Sequence, residues 1–442
     1  MRTIRVGNGC GFWGDNMDAP IRLAEDGELD YLTLEYLAEL TLSIMAHQRQ
    51  RDPAAGYATD FIDTLRRLGP ILRAQPRLKI ITNAGGINPM SCAEAVRKVL
   101  REANLADTKI AVVTGDDLVS DLVGLVRCGH GFNHLDTGQP LEPFLDRVVS
   151  ANAYLGADPI VTALEQGARI VVAGRVADVS LTVAPARFEF GWRRDDWPRI
   201  AGAAVAGHLI ECGAQVTGGL YCNWPQVPDY ARIGYPIAVI AEDGSSEITK
   251  PPGSGGVVDR HTVIEQLLYE IGDPSDYLTP DVRVDFTGLS VHDCAVGARL
   301  EGAAGRPPTD SYKVSVAYRN GFMASGMLGV TGIQAVRKAR KCGEIVLDRI
   351  AAAGATPDRS HIEVIGKDEV EFGTVVLRIA VQDSRREVVD RFCRELAPLV
   401  TAGPPGVSGY AGGRPQVREV LAYWPALIDR AAVVAEVKTF ES

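Results

Sequence analysis

The sequence predicts an α/β protein: an N-terminal α/β domain with a parallel sheet, followed by a smaller α+β domain. In the first half of the chain, short runs of β-branched and other apolar residues alternate with helical stretches. Each run ends in a polar or glycine-rich turn, a pattern typical of parallel strands that are buried on both faces. Roughly the last hundred residues follow a different order, helix, strand, strand, helix and further strands, which favours an α+β domain.

Five strands are predicted before residue 190, and each leads into a turn and then a helix. The strands are Ile4–Val6, Tyr31–Leu34, Leu78–Thr82, Lys109–Thr114 and Arg169–Ala173. Ser91 and Glu94 have the spacing of a capping box, so we expect a helix to begin there after the third strand. Residues 198–213 are small and apolar, which predicts a helix that packs closely against another element.

The composition changes after Asn223, where the segment WPQVPDYARIGYP interrupts the apolar pattern. We therefore expect a domain boundary close to this point and three regions in all. They are an α/β domain with the strand-end site over 1–225, a mixed α/β segment with a glycine-rich loop over 226–330, and an α+β C-terminal domain over 331–442.

Composition and charge restrict the class of partner. A chain of 442 residues is long enough for two or three domains, and its formal charge of −10 disfavours nucleic acid or an anionic membrane surface as the main partner. No apolar run is long enough for a signal peptide or a membrane span. The eight cysteines are scattered without a CxxC pair, so we expect reduced thiols and a cytoplasmic protein.

Polar side chains gather where the predicted strands end. In an open parallel sheet, ligands bind beyond the carboxyl ends of the strands. Any one of these residues could instead cap a helix or close a turn, but the convergence of five turns on one rim favours a site. The candidates are Asn8, Asp15, Glu35, Glu39, Asn83, Gly85, Gly86, Asn88, Asp116, Asp117, Arg175 and Asp178.

Glu35 is the candidate general base. It follows the apolar run YLTL with no intervening loop, and partial burial at that position would raise its pKa toward the working pH. Asp116 and Asp178 are further candidate catalytic carboxyls, and Arg175 is a candidate for holding a substrate carboxylate. The alternative is structural, with Glu35 bracing a helix that begins at Tyr36.

The segment KPPGSGGVVDRH supplies a candidate anion site. Glycines can adopt backbone angles that point several N–H groups into one concavity, and Asp259 is the expected N-cap of the helix that follows. An ordinary turn in front of an ordinary helix is the alternative. The expected binding residues are Lys250, Gly253, Ser254, Gly255 and Gly256.

Two other motifs carry weaker signals. CGHGFNHLD places Cys128, His130, His134 and Asp136 in one loop. Such a set can bind zinc, but two glycines favour a structured surface loop, and we expect no metal there. GNGCGFWGD departs from the G-x-G-x-x-G spacing of a dinucleotide site, so NAD binding is disfavoured.

Several longer motifs together resemble a known family. They are DYLTLEYLAELT, VSANAYLGADPIV, GRVADVSLT, GHLIECGAQVTGG and KPPGSGG with EQLLYEIGDPSDYLTPDV. These segments are similar to the acyclic terpene utilisation (AtuA) family over about residues 4–300. The resemblance implies a place in bacterial routes that degrade citronellol and geraniol through acyl-CoA intermediates. It gives pathway context and does not assign a reaction.

The resemblance and the residue patterns lead to one functional hypothesis. We expect an enzyme that acts on an acyl-CoA or a related branched carboxylic acid, with lyase or hydratase chemistry run by carboxyl groups. Coenzyme A would enter as part of the substrate, with a phosphate group on the KPPGSGG loop. The backbone of Asn83–Gly86 would supply donors for a thioester enolate. No other cofactor is expected.

A non-enzymatic hypothesis stands beside it. In this alternative the chain is a ligand-binding subunit or scaffold for another enzyme of the pathway. The expected partner is a small molecule under either hypothesis, and the sequence leaves open a homo-oligomer or a companion subunit.

Overall fold

The computed structural model of the chain describes residues 1–38, 40–367 and 372–442. These residues form two compact units. The large unit comprises Met1–Ala317 and Tyr423–Ser442, and the small unit comprises Tyr318–Ala422. No helix within the described ranges is long and apolar enough to cross a membrane.

Strands and helices alternate along the chain through both units. In chain order the strands are β1 (Thr3–Asn8), β2 (Tyr31–Leu34), β3 (Lys79–Thr82), β4 (Lys109–Thr114), β5 (Val148–Ala153), β6 (Ile170–Ala173), β7 (Ile237–Ala241), β8 (Ser246–Thr249), β9 (Tyr277–Leu278), β10 (Arg283–Asp285), β11 (Ser290–Cys294), β12 (Gly297–Glu301), β13 (Ala304–Arg306), β14 (Ser311–Gly332), β15 (Arg359–Ile365), β16 (Gly373–Asp383), β17 (Val407–Tyr410), β18 (Arg418–Asp429) and β19 (Glu436–Glu441). The α-helices are α1 (Ala19–Asp26), α2 (Thr41–Arg51), α3 (Thr59–Ala74), α4 (Pro89–Glu102), α5 (Leu122–Arg127), α6 (Asp158–Glu165), α7 (Ser180–Phe190), α8 (Trp197–Ile210), α9 (Arg260–Leu268), α10 (Ala335–Ala352), α11 (Arg386–Glu395) and α12 (Leu399–Ala402).

The large unit is built on a sheet with the strand order β11-β12-β8-β7-β1-β2-β3-β6-β4-β19. Its central strands β1, β2, β3, β6 and β4 are parallel. These are the five strands predicted from the sequence, and the bounds of β2 and β4 match the prediction. The flanking strands β7 and β19 are antiparallel to β1 and β4. The strand-end rim expected from the sequence is therefore present.

Helices cover both faces of this sheet. Helices α1, α3 and α4 pack on one face around a core that includes Leu32, Ile80 and Val172. Helices α6, α7 and α8 pack on the other face, around Tyr31 and Val171. Neighbouring residues of one strand point to opposite faces, so both faces must be apolar. This is why the strands appear in the sequence as continuous apolar runs.

The expected boundary after residue 225 does not coincide with the division into units. Strands β7, β8, β12 and β11 extend the N-terminal sheet beyond β1, so four strands of the segment 226–330 belong to the same sheet as the N-terminal strands. Loop composition cannot reveal this pairing, because an antiparallel extension of a sheet needs no linker.

The small unit has its own core and sheet. Its strands lie in the order β15-β16-β14-β17, and α10, α11 and α12 contribute to a core that includes Val346 and Phe392. The chain order is strand, helix, strand, strand, helix, helix, strand, which corresponds to a split βαβ arrangement with an added short helix. The small unit begins at Tyr318, within β14, rather than at the predicted residue 331. Strand β14 continues through residue 331, so no boundary falls there.

The expectation that the segment 198–213 forms a closely packed helix is confirmed. Helix α8 is buried from Ile200 through Ile210. A Cβ atom added at Gly202 would lie 2.0 Å from the carbonyl oxygen of Gly244. Only glycine at this position permits the helix to approach the turn between β7 and β8.

We therefore expect Gly202→Ala to destabilise the protein by about 2 kcal/mol, because the clash involves backbone and exceeds the gain in helix propensity. The measurement is the free energy of unfolding in urea. Gly124→Ala is a matched control in α5, since a Cβ there would meet no atom within 4 Å. Equal effects of the two substitutions would contradict the close approach of α8.

Candidate active site

A cavity of about 460 Å³ lies at the strand-end rim of the large unit. Its lining joins residues that follow β1, β2 and β6 with residues from the C-terminal end of α8. The charged groups among the described residues of this lining are Asp15, Glu35, Arg175, Asp178, Glu211 and Glu270. Five carboxyl groups therefore share one cavity with one guanidinium group.

A second cavity, of about 380 Å³, shares part of this lining. The two cavities have Arg175, Asp178, Glu211 and Glu270 in common. We call these four residues the shared wall. The second cavity is more aromatic and is otherwise lined by side chains that include Tyr154, His208, Tyr277, Tyr312 and Lys313. Both volumes fall within the range of small-molecule sites.

Arg175 holds the shared wall together. Its side chain is only 3% exposed, and its Nη2 donates to Asp178 Oδ1 at 2.9 Å. Its Nη1 donates to the carbonyl oxygen of Leu37 at 2.5 Å and lies 3.8 Å from Glu35 Oε1. The ring of Tyr154 lies beneath the guanidinium, with its centroid 4.0 Å from Cζ. The sequence predicted that Arg175 holds a substrate carboxylate. In the structure, its charge partners are the protein carboxyls of Asp178 and Glu35.

Glu35 is buried directly after β2, as predicted. Its Oε1 accepts hydrogen bonds from the Leu37 N–H at 3.2 Å and from Nδ2 of Asn83. The expected helix from Tyr36 does not form, because residues 35–38 are irregular and α2 begins at Thr41. Glu35 therefore does not cap or brace a helix that starts at its neighbour.

Burial raises the pKa of Glu35 well above its ordinary value. The charge of Asp178 raises this pKa further, while Arg175 and the hydrogen bond from Asn83 oppose the rise. The two carboxyls share Arg175 as a neighbour, with Asp178 Oδ1 at 2.9 Å from its Nη2 and Glu35 Oε1 at 3.8 Å from its Nη1. Burial and the charge of Asp178 thus favour the protonated form of Glu35.

Asp116 does not line either cavity. Its Oδ2 accepts hydrogen bonds from the Arg175 N–H and from Nδ2 of Asn152, both at 2.8 Å. Asp116 therefore fixes the turn that carries Arg175, which is a positioning contact rather than a contact with substrate. Asp117 interacts at 3.9 Å with Arg49 and likewise lies outside both linings.

The three predicted asparagines are also engaged within the protein. Asn8 Nδ2 donates to the carbonyl oxygens of Ile210 at 2.7 Å and Glu211 at 2.9 Å. Asn83 accepts from the Tyr36 N–H at 2.8 Å and donates to Glu35. Asn8 and Asn83 thus do not line the first cavity themselves. They hold in place the segments that carry Glu211 and Glu35, which do line it.

Asn88 is the N-cap of α4, so the helix does not begin with the predicted capping box of Ser91 and Glu94. Asn88 was predicted to bind substrate, but its side chain caps this helix. Its side chain accepts from the Ser91 N–H and donates to the carbonyl oxygens of Pro53 and Ala55. Asn88 also differs from a typical rim residue because every polar atom of its amide has a protein partner.

Two of the expected enolate donors in the turn Asn83–Gly86 bond within the protein. The Ala84 and Gly86 N–H groups donate to Thr82 Oγ1 and the Asn83 carbonyl oxygen. A Cβ at Gly85 would lie 2.5 Å from the Ala173 carbonyl oxygen. At Gly86, where φ is +53°, a Cβ would lie 2.3 Å from Met45 Sδ. These glycines permit close packing of the turn under the rim.

Asp15 lines the first cavity and organises the loop after β1. Its Oδ2 accepts from the Gly11 N–H at 2.9 Å, and its Oδ1 accepts from the Tyr235 hydroxyl at 2.5 Å. The glycine-rich segment after β1 is thus closed by its own carboxylate rather than arranged around a dinucleotide. Glu39, the remaining rim candidate, lies outside the described residues.

The KPPGSGG loop does not present the expected cradle of free donors. The Gly255 and Gly256 N–H groups donate to the carbonyl oxygens of Arg232 and Pro228, each at 2.7 Å. The Lys250 ammonium group donates to the Ser254 carbonyl oxygen at 2.7 Å. Gly253 and Ser254 line a separate cavity of about 220 Å³. The KPPGSGG segment is therefore a turn, called here a self-closed turn, in which these donors bond to backbone carbonyl oxygens of the protein.

Asp259 is confirmed as the N-cap of α9. Its side chain accepts from the N–H groups of His261 and Thr262, and the Thr262 hydroxyl completes a capping box. This cap satisfies the helix N-terminus that had been expected to face an anion, so the helix dipole there already has a negative partner.

The sequence reasoning missed Glu211 and His208 at the end of α8. His208 Nδ1 lies 3.1 Å from Glu211 Oε1, and its Nε2 lies 3.0 Å from the carbonyl oxygen of Gln266. The signal that could have revealed them is a histidine and a glutamate three residues apart inside an otherwise small, apolar helix. Such a pair lies on one helical face and is costly to bury unless the two groups interact.

The Cys128 to Asp136 loop shows no metal-like cluster. His134 Nδ1 accepts from the Asp136 N–H at 3.1 Å, and its ring packs against Trp424 at 4.9 Å. Within the described ranges, no group of three or more His, Cys, Asp or Glu side chains is arranged to hold a metal ion. The expectation of a protein without zinc stays a prediction. All eight cysteines are free thiols.

Comparison with known proteins identifies the family. The family model described as "Acyclic terpene utilisation family protein AtuA" matches residues 4–439. The chain therefore belongs to the acyclic terpene utilisation family, and the match extends well beyond the residues 4–300 on which the resemblance was seen. A search of proteins with curated functions found no match.

One solved structure is similar to part of the chain. It is the "De novo designed protein Ferredog-Diesel", with 17% sequence identity and a TM-score of 0.15. The match covers 23% of this chain and 88% of the designed protein. A TM-score this low carries no argument about fold or function.

We expect Asp116→Asn to flatten the pH dependence of stability. Burial raises the pKa of Asp116 to about 7, even though its hydrogen bonds from Arg175 and Asn152 act in the opposite direction. The folded state thus holds this proton more tightly than the unfolded state. The wild-type chain therefore loses stability as pH rises from about 4 to about 7, and the asparagine variant lacks this contribution.

The measurement is the free energy of unfolding in urea at a series of pH values between about 5 and about 8. The difference between wild type and variant should shift in favour of the variant as pH rises. Asp121→Asn, at an exposed position, serves as the control and should leave the wild-type pH dependence in place. Parallel curves for wild type and Asp116→Asn would show that Asp116 is not held protonated in the folded state.

Proposed function

We propose that this member of the acyclic terpene utilisation family is an enzyme that acts on a branched acyl-CoA thioester by lyase or hydratase chemistry. The observation that carries the proposal is the buried Glu35 carboxyl beside the half-buried Asp178 in the lining of one cavity, with Arg175 next to both. A buried carboxyl with a raised pKa is suited to giving and taking protons, as acid–base catalysis requires. Family membership supports the terpenoid context.

The charge of the cavity favours a thioester over a free carboxylate. The first cavity has five carboxyl side chains and one guanidinium group among its described lining residues. A free carboxylate would be repelled by this lining, and Arg175 is already engaged by Asp178 and Leu37. A thioester carbonyl is neutral, so it enters such a cavity without this electrostatic cost. The phosphates of coenzyme A would then lie outside the acidic lining.

Glu35 is proposed to exchange the proton on the substrate α-carbon. In the direction of dehydration, the Glu35 carboxylate removes this proton, and the electron pair of the C–H bond forms the double bond as the β-hydroxyl group leaves. In the direction of hydration, protonated Glu35 returns the proton to the α-carbon. The charge of Asp178 raises the pKa of Glu35 and so favours the protonated form that returns this proton.

The aromatic second cavity supports a substrate with an apolar tail. Tyr154, Tyr277 and Tyr312 lie along it, together with large apolar side chains from separate segments. Those apolar residues are Leu135, Leu278 and Leu427. An acyl chain placed there would leave its thioester end at the shared wall, next to Glu35.

We expect Glu35→Gln to lower kcat for hydration of geranyl-CoA by about a hundredfold or more, the usual contribution of a positioned acid or base. The change removes the exchangeable proton and keeps the shape of the side chain. The assay follows loss of the conjugated enoyl-thioester absorbance, and a thermal melt is run in parallel. The melting temperature should not fall, because the substitution removes a buried carboxyl whose ionisation is unfavourable.

Glu395→Gln is the matched control, since Glu395 is also buried and pairs with Arg391 in the small unit. It should leave kcat unchanged. A Glu35→Gln variant that melts early and turns over normally would remove Glu35 from the chemistry. Tight binding of geranyl-CoA by the wild type with no turnover would instead favour a ligand-binding subunit of another enzyme.

A further inference from the structure

His208 is locked in one orientation at the C-terminal end of α8. The carbonyl oxygen of Gln266 lies 3.0 Å from Nε2 and can only accept, so the proton lies on Nε2. The Gln266 side chain in turn donates to the His208 carbonyl oxygen at 3.3 Å. Tyr277 and Phe286 pack against the imidazole ring, with centroids 5.6 Å and 5.9 Å away.

This orientation directs Nδ1 at Glu211. Nδ1 and Glu211 Oε1 are 3.1 Å apart, and a hydrogen bond between them needs a proton on one of the two groups. The pair is therefore either imidazolium with carboxylate or neutral imidazole with carboxylic acid. In both forms it stores one exchangeable proton in addition to the one on Nε2.

The second oxygen of Glu211 is left for a ligand. Glu211 Oε2 is buried and has no hydrogen-bond partner among the described residues, and Glu211 lines both cavities. A buried acceptor without a donor is unfavourable unless a ligand supplies one. Asn8 fixes the backbone beneath it by donating to the carbonyl oxygen of Glu211, so the side chain cannot easily withdraw from the wall.

We propose that Glu211 is a second catalytic carboxyl that handles the proton on the substrate β-oxygen, and that His208 is its positioning partner. This inference rests on the proposed function, which needs one group for the α-carbon and a different group for the oxygen. Glu35 and Glu211 both belong to the lining of the first cavity. Asp178 belongs to the same lining, so the three carboxyls face one cavity.

The balanced step in the direction of hydration is as follows. The Glu211 carboxylate takes one proton from water as the water oxygen bonds to the β-carbon of the enoyl thioester. The π electrons move to the α-carbon, which takes a proton from Glu35. Water is consumed, a 3-hydroxyacyl thioester forms, and Glu35 and Glu211 later exchange their protons with solvent. No oxidant or other co-reactant is needed.

The charges around the pair are suited to this role. Burial raises the pKa of Glu211, His208 opposes the rise, and the charges of Asp178 and Glu270 add to it. Burial lowers the pKa of His208, but the hydrogen bond and charge of Glu211, the Gln266 carbonyl and the charge of Glu270 outweigh it, and the net change is a rise. Each partner therefore stabilises the proton that the hydrogen bond between them requires.

The test separates the α-carbon proton from the oxygen proton. Citronellyl-CoA has no double bond next to the thioester, so exchange of its α-hydrogens with solvent in D₂O requires only Glu35. Geranyl-CoA hydration requires both groups. We expect Glu211→Gln to retain α-hydrogen exchange within about threefold of wild type and to lose hydration by about a hundredfold or more. Glu35→Gln should lose both activities.

The outcomes distinguish the two proposals. Absence of exchange by the wild type would overturn the proposed function itself. Exchange and hydration that both survive in Glu211→Gln would overturn the role of Glu211 alone. Loss of both activities in Glu211→Gln with an unchanged melting temperature would also contradict the division of labour between the two carboxyls.

A pH profile tests His208 as the positioning residue. His208 lowers the pKa of Glu211, so His208→Asn should move the acidic limb of the hydration profile to higher pH. Exchange of citronellyl-CoA should be unchanged in the same variant. A profile with an unshifted limb and a uniformly lower rate would assign His208 a purely structural role.

Discussion

The buried guanidinium of Arg175 is the interaction on which the rest of the site depends. A cation that is 3% exposed must be compensated inside the protein, because removing one partner of a buried pair costs about 3–5 kcal/mol. Asp178, Glu35 and the Leu37 carbonyl oxygen provide that compensation around the guanidinium edge, and Tyr154 covers its face. The same contacts bring two carboxyls together in the cavity lining, where burial and the charge of Asp178 raise the pKa of Glu35.

The sheet supplies the rigid frame for this arrangement. Asn8 at the end of β1 and Asp116 after β4 do not line the first cavity, but they fix segments that do. Asp116 holds the Arg175 N–H, and Asn8 holds the carbonyl oxygens at the end of α8. Close packing of α8, permitted by Gly202, brings Glu211 to the same wall from a distant part of the chain. Strand-end residues thus act partly by contact with the cavity and partly by positioning others.

The sequence predicted the parallel core and part of the site because both follow from local patterns. Continuous apolar runs marked the five strands, and the strand-end rule located Glu35, Arg175 and Asp178. The same rule selected Asn88, whose side chain instead caps α4, and the glycine-loop pattern selected Lys250, which bonds within its own turn. Hydrogen-bond partners at such positions are set by tertiary contacts, which local patterns do not contain. For the same reason the place of Glu211 beside Glu35 could not be foreseen.

The central claim is that Glu35, buried beside Asp178 and Arg175, carries a proton at neutral pH. Infrared difference spectroscopy of wild type against Glu35→Gln measures this state directly, since a protonated carboxyl and a carboxylate absorb at well-separated frequencies. We expect the difference spectrum at neutral pH to contain a protonated-carboxyl band that shifts in D₂O and is absent from the Glu395→Gln control. A difference spectrum with carboxylate bands alone would show that Glu35 is ionised and would contradict the account.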